Sequence, residues 1–180
     1  MTQTLAPRSE RVSALSVRPY RPTDHNACRR LWAELVEQQR EFYGDPRHGG
    51  EDPGAGFEEY LTRLDLAGMW VADDHGVIGL VGLVLDGRGG AVDPVVVTGR
   101  RRGEGIGRAL LSYVAEQAKR RGLRELTISP EWHNVEAIHC LHAAGYDTIT
   151  NITLALHLDR GTRDGGRRAG PELHNLHFRS

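Results

Sequence analysis

Apolar residues recur at helical spacing at Cys28, Leu31, Trp32, Leu35 and Val36, which predicts an amphipathic helix. Thr23 is a suitable N-cap for it, and Asp24 would lie near the positive end of its dipole. Ahead of this helix, Ser16 to Tyr20 reads as a short strand. The run from Gly44 to Gly56, rich in Gly, Pro and Asp, reads as a loop. Phe57, Tyr60, Leu61 and Leu64 line one side of a second helix. The period then changes. Met69 to Ala72, Val77 to Leu85 and Ala91 to Val97 read as strands, separated by turn chemistry at Asp73-Asp74-His75-Gly76 and Gly87-Arg88-Gly89-Gly90. Strands joined by such short turns form an antiparallel meander.

A third helix is the clearest of all, with Ile106, Ala109, Leu110, Tyr113, Val114 and Ala118 on one stripe and Gly122 at its end. Leu126 to Ile128 reads as a strand that stops before Pro130. Asn134 is placed to cap a shorter helix containing Val135, Ile138 and Leu141, halted by Gly145. Tyr146 to Leu158 reads as one or two closing strands, and Asp159 to Gly170, rich in Gly and Arg, as a flexible stretch. Helices and strands do not alternate strictly, so the pattern predicts an α+β fold with a mixed sheet. The organisation expected is a flexible arm over 1–15, one domain over 16–158 and a Gly/Arg-rich tail over 159–180.

Composition narrows the partners. The chain has 180 residues, 39% of them hydrophobic, which suits one packed core. A formal net charge of −1, with both signs interspersed, gives no electrostatic reason to expect nucleic acid or a membrane surface. No apolar run is long enough to span a bilayer, and Met1 to Ser13 lacks the apolar stretch of a secretory signal. The two cysteines, Cys28 and Cys140, fall in predicted helices, and reduced thiols in a cytoplasmic protein are the simplest expectation.

The chemistry concentrates after Val95-Val96-Val97. There Arg102-Gly103-Glu104-Gly105-Ile106-Gly107-Arg108 turns a strand into a helix. The first amides of a helix lack internal acceptors and, with the helix dipole, attract an anion. Glycine keeps side chains out of the way of a phosphate, and Arg102 and Arg108 add positive charge, so a pyrophosphate is the expected guest. A nucleotide-hydrolysing P-loop needs Lys and Ser or Thr after its last glycine, where this chain has Arg108-Ala109. A dinucleotide fingerprint needs a third glycine where Arg108 stands.

Val97 to Leu111 resembles the acyl-CoA-binding motif of the GNAT superfamily of N-acyltransferases, Gln/Arg-x-x-Gly-x-Gly/Ala. Asn134-Val135-Glu136-Ala137-Ile138 followed by Ala144-Gly145-Tyr146 resembles the same family's Asn-x-x-Ala segment leading to Gly-Phe. The resemblance covers Val17 to Leu158 and implies a mixed, mostly antiparallel sheet with helices on both faces and a gap between the family's fourth and fifth strands. It implies that acetyl-CoA, or another short acyl-CoA, is the co-substrate, with no metal. By the same resemblance the backbones of Val95, Val96 and Val97 would meet the pantetheine amides. The amides from Arg102 through Gly103, Glu104, Gly105, Ile106 and Gly107 to Arg108 would hold the pyrophosphate, and Asn134 would contact the cofactor.

Direct attack of an amine on the thioester, as the resemblance implies, needs a group to take or hold a proton. Asp93 stands where relatives often carry Glu and is the leading candidate for base or amine-binding group. Glu131, Trp132 and His133 follow Pro130 beside the expected cleft mouth, and His133 is chemically suited to relay a proton. Where relatives often have the acid Tyr, this chain has Leu141, which cannot donate a proton. His142 is next in sequence, although it projects about 100° further around the helix. His139 and His142 share a helix face, but two ligands are too few for a metal site. Tyr43 and Tyr60 are candidates for the acceptor-pocket wall, and Asp45, Glu51 and Asp52 for attraction of a cationic amine. Three functions follow: acetylation of a small-molecule amine, acetylation of a protein lysine or N-terminus, or acyl-CoA sensing without catalysis. A homodimer is compatible with each.

Overall fold

The structure is a computed structural model that describes residues 15–87, 89–154 and 169–179. The chain divides into two compact units, Met1–Ile128 and Ser129–Ser180. The first holds a five-stranded sheet in the order β1-β2-β3-β4-β5, formed by Ser16–Pro19, Leu66–Asp73, Val77–Asp86, Gly89–Val97 and Leu126–Thr127. Every neighbouring pair is antiparallel except β4 and β5, which run parallel. Its helices are α1 (His25–Tyr43), α2 (Gly56–Leu61) and α3 (Ile106–Arg120). This is the mixed α+β sheet that the element order predicts.

Strand alternation divides the apolar residues between two layers. On one face Met69, Val71, Leu80 and Val96 pack with Cys28 and Leu31 of α1 and with Phe57 and Tyr60 of α2. Trp70, between Met69 and Val71, turns instead to α3, where its ring meets Tyr113 at 6.0 Å and Arg121 lies over it at 5.6 Å. The α3 stripe is buried at Ile106, Leu110, Leu111, Val114 and Ala118. Cys28 is fully buried, and that burial pushes its thiol up to about 12, so it is a protonated core group. Both cysteines are free thiols.

Two features of β4 shape its surroundings. Val81 pairs with Val95 and Leu83 with Val92, so Asp93 and Pro94 together oppose the single residue Gly82. Proline cannot donate to a ladder, and the extra residue is accommodated as a bulge. On the other side, β4 pairs with β5 only at Gly90 and Ala91. Among the described residues, the edge from Val92 to Val97 has no strand partner on that side.

The second unit contains α4 (Val135–Ala143) and a hairpin of β6 (Ala169–Leu173) and β7 (Leu176–Arg179). Asn134 caps α4 as its side chain predicts, accepting a hydrogen bond from the Ala137 amide at 3.1 Å. Three details differ from the sequence pattern. Leu64 lies beyond the end of α2 and is fully exposed. The closing strands expected over 146–158 are absent from the described part, 146–154, where Ile149, Ile152 and Leu154 are exposed; 155–158 lie outside the described residues. Apolar residues form a strand only where a ladder receives them. The described part of the tail carries a hairpin that the sequence pattern does not place, turned by His174 and Asn175, both at positive φ (52° and 63°). Two consecutive residues in that region suit the tight turn of a hairpin. The arm expected over 1–15 lies, apart from Leu15, outside the described residues. No helix among the described residues is long and apolar enough to cross a membrane.

Candidate active site

The glycine turn is open where a phosphate would need it open. Gly103 and Gly105 have φ of +79° and +83°, and a Cβ at either would stand in free space. A side chain there would be conformationally strained and would project into the concavity. Gly105, which has no side chain to cap with, is the N-cap of α3, and among the described residues no side-chain cap is seen there. The first bond back along α3 runs from the Ala109 amide to the Gly105 carbonyl at 3.0 Å. By helix geometry the amides before Ala109 therefore lack internal acceptors. Glu104, the one acidic residue of the turn, is drawn aside by Arg101, whose Nε donates to its carboxylate at 2.7 Å. Arg101 also donates to Asp74 at 2.9 Å. Arg102 donates through Nε to the Val97 carbonyl at 3.2 Å, and Arg108 is exposed at the head of the helix.

The neighbouring strand edge divides Val95, Val96 and Val97. The Thr98 amide donates to the Ile78 carbonyl of β3 at 3.0 Å. Backbone groups alternate along a strand, so Val96 also faces β3, while Val95 and Val97 direct theirs to the edge without a strand partner. Of the three valines expected at the pantetheine, Val95 and the amide of Val97 face this edge, while the Val97 carbonyl is held by Arg102 Nε.

Asp93 stands on the β4 bulge with its side chain about half exposed, and its carboxylate is ion-paired with Arg63 Nη1 at 2.9 Å. Its carbonyl accepts from the Tyr60 hydroxyl. Tyr60 is 4% exposed and belongs to the core, and burial raises its phenol above the usual range. Tyr60 therefore supports the strand bearing Asp93 and does not present a free wall to a pocket. Tyr43 is exposed near the end of α1, its ring edge-on to His48 at 4.8 Å. An open groove of about 580 Å³ lies along α1, lined by Arg30, Glu34, Glu37, Gln38 and Glu41, with Arg102 contributed from the glycine turn. Neither Tyr43 nor Tyr60 lines it.

Within the second unit, Trp132 is exposed, Glu131 and His133 are half-buried, and His142 is exposed on α4. Asn134 uses its side-chain oxygen as the cap of α4, which leaves its amide NH₂ for another partner. Leu141 is buried, and the Tyr146 amide donates to its carbonyl at 3.1 Å. The Tyr146 hydroxyl is buried and, among the described residues, has no hydrogen-bond partner.

The family model described as Acetyltransferase (GNAT) family matches residues 27–146, two-thirds of the chain. The protein belongs to this family. The match takes in both the glycine turn and α4. No curated protein matches this GNAT chain. Among solved structures, it is similar to AAC(6')-Iy in complex with the bisubstrate analogue CoA-S-monomethyl-acetylneamine, at 18% identity and a TM-score of 0.60, covering 81% of this chain and 99% of the other. It is similar to the ribosomal-protein alanine N-acetyltransferase from Escherichia coli at 16% identity and a TM-score of 0.56, with 73% and 76% covered. A GNAT acetyltransferase from Brucella melitensis in complex with acetyl-CoA gives 20% identity and a TM-score of 0.54, with 70% and 82% covered. At these identities the shared property is the GNAT fold.

Glu34, Gln38 and Arg63 carry contacts that the sequence pattern does not single out. Each acts across a sequence gap of 30 residues or more, at Thr98 and Gly99, at Arg102, and at Asp93 respectively. Local periodicity marks Glu34 and Gln38 only as the polar face of α1.

Proposed function

We propose that this protein is an N-acetyltransferase that moves an acetyl group from acetyl-CoA to the primary amine of a small molecule by direct attack in a ternary complex. The observation that carries this reading is the open turn at Gly103 and Gly105, at the head of an α3 whose N-cap is a glycine. The residues present fit a diphosphate there: positive-φ glycines, the first amides of α3 and Arg108, with the Glu104 carboxylate held by Arg101. Acetyl-CoA, when bound, supplies the activated thioester carbonyl and a thiolate leaving group.

The chain's own residues would bind and orient. Amides from Gly103 to Arg108 hold the diphosphate, and the outward backbone groups of Val95 and the Val97 amide meet the pantetheine, whose amide competes with Arg102 for the Val97 carbonyl. An edge of unpaired donors and acceptors suits an extended ligand bearing amides. Asp93 holds the incoming ammonium, in competition with the Arg63 guanidinium that occupies its carboxylate. His133 and His142 are the candidate proton carriers and Asn134 a candidate cofactor contact by the family resemblance alone. An open groove along α1 of about 580 Å³, whose wall carries Glu34, Glu37 and Glu41 together with Arg30 and Arg102, has room for a small acceptor.

A second reading, a GNAT domain that binds acyl-CoA without catalysis, is favoured by two observations. Leu141 is buried and apolar, and Asp93 is already engaged by Arg63. Thiol release from acetyl-CoA, measured with a panel of small amines and of peptides bearing lysine or a free N-terminus, separates the readings. Release with small amines supports the first. Release with peptides alone would move the assignment to a protein acceptor. Tight CoA binding without release from any amine would establish the binding domain.

A further inference from the structure

The turn that leads into α3 is held from outside by α1. Glu34, on α1, accepts two hydrogen bonds from the segment between β4 and α3. Its Oε1 receives the Thr98 hydroxyl at 2.9 Å and its Oε2 receives the Gly99 amide at 2.8 Å. Thr98 is the N-cap of the 3₁₀ turn Gly99–Arg101, and its own side chain does not cap that turn. Glu34 supplies the missing cap from another helix. One α1 turn further on, Gln38 accepts from Arg102 Nη2 at 3.4 Å, and the same guanidinium grips the Val97 carbonyl. The segment entering Gly103 is thus moored to α1 at two successive turns of that helix.

Charge alone would make Glu34 a poor neighbour for an anion. A carboxylate near a phosphate-binding turn repels the phosphate. Its placement makes sense through its two acceptor oxygens, since a carboxylate can receive a hydroxyl and an amide together. A turn ordered before the ligand arrives avoids the ordering cost at binding. We propose that Glu34 is a positioning residue for the diphosphate site, shaping Thr98 to Gly105 in the ligand-free protein. The inference rests on the reading of that turn as the CoA diphosphate site.

The test combines calorimetric titration with CoA and amide hydrogen exchange over residues 98–105 of the ligand-free protein, in wild type, Glu34→Ala and Glu34→Gln. Gly105→Glu serves as the reference for the site itself, and thermal unfolding verifies that each variant folds. Glu34→Ala is expected to weaken CoA binding roughly tenfold and to speed exchange in the turn. Glu34→Gln keeps one acceptor oxygen and is expected to fall between Ala and wild type. The sign of the effect is decisive, because removing a merely repulsive charge would tighten CoA binding. Binding by Glu34→Ala as tight as wild type or tighter, or exchange unchanged over 98–105, overturns the proposal. A wild-type protein that did not bind CoA would instead overturn the reading of the site, while exchange would still report whether Glu34 holds the turn.

Discussion

The phenol of Tyr60 donates its hydrogen bond to the backbone carbonyl of Asp93. One side chain of α2 thereby props the bulge at which β4 departs from its ladder with β3. Gly82 makes this possible from β3, because a Cβ there would collide with both the Tyr60 hydroxyl and the Asp93 carbonyl. Tyr60→Phe leaves that carbonyl without its donor, and a loss of about 1–2 kcal/mol is expected in urea unfolding. Gly82→Ala is expected to cost more, about 3 kcal/mol, since one colliding atom belongs to the backbone.

At the glycine turn, Gly105→Glu combines a disfavoured φ, a filled concavity and a negative charge at the head of α3. CoA affinity in a calorimetric titration is expected to fall at least about 100-fold, with the unfolding midpoint changed far less. Undiminished affinity would place the coenzyme elsewhere.

Asp93 and Arg63 make a pair of variants with opposite expected effects. Asp93→Asn removes the charge that would hold an ammonium, and turnover is expected to fall about 10- to 100-fold with CoA affinity intact. Arg63→Gln frees the Asp93 carboxylate, and KM for the amine is expected to fall. Steady-state kinetics with the best amine of the panel reads both.

Arg18 binds two carboxylates at once, Asp24 at 2.7 and 2.9 Å and Asp73 at 3.0 and 2.7 Å. Hydrogen bonds from Arg18 are the first cause holding both aspartates below the ordinary range, against the opposing effect of burial. A carboxylate whose folded value is depressed stabilises the fold fully above its unfolded value, near about 4. That contribution is lost as pH falls from about 4 through the folded values. Asp24 is only 6% exposed, and Asp24→Asn is expected to cost about 2 kcal/mol at neutral pH. The same variant is expected to lose less stability than wild type between about pH 4 and pH 2 in denaturant titrations.

Tyr146 carries a buried hydroxyl that no described group satisfies, and burial raises its phenol above the usual range. Tyr146→Phe removes the unpaired polar atom and keeps the ring. Thermal unfolding is expected to show equal or higher stability, by up to about 1 kcal/mol. A clear loss would reveal a partner for the hydroxyl.

Much of the fold is legible because its elements announce themselves locally. The stripe from Ile106 to Ala118 has the helical period and is buried on that stripe. The β2-β3-β4 meander follows from apolar runs separated by turn residues. The turn at Gly103 and Gly105 is legible because glycine is the residue best suited to its positive φ. The hairpin at 169–179 is hidden because His174 and Asn175 do the work that Asn-Gly usually does, within a tail dominated by Gly and Arg. The moorings of the site are hidden for another reason. Glu34 to Gly99 and Arg63 to Asp93 are polar contacts between distant residues, and polar positions on a helix face all read alike until the fold brings partners to them.

The brevity of β5 has a cost for the protein when it stands empty. Among the described residues no strand covers β4 from Val92 to Val97, and apart from the Val97 carbonyl held by Arg102 its outward groups can receive an extended chain, including the same stretch of another copy. A coenzyme lying along it would act as a guard against such zippering as well as a reactant. Ligand-free preparations are therefore the ones in which self-association and loss on storage would first appear, and added CoA is the natural protectant.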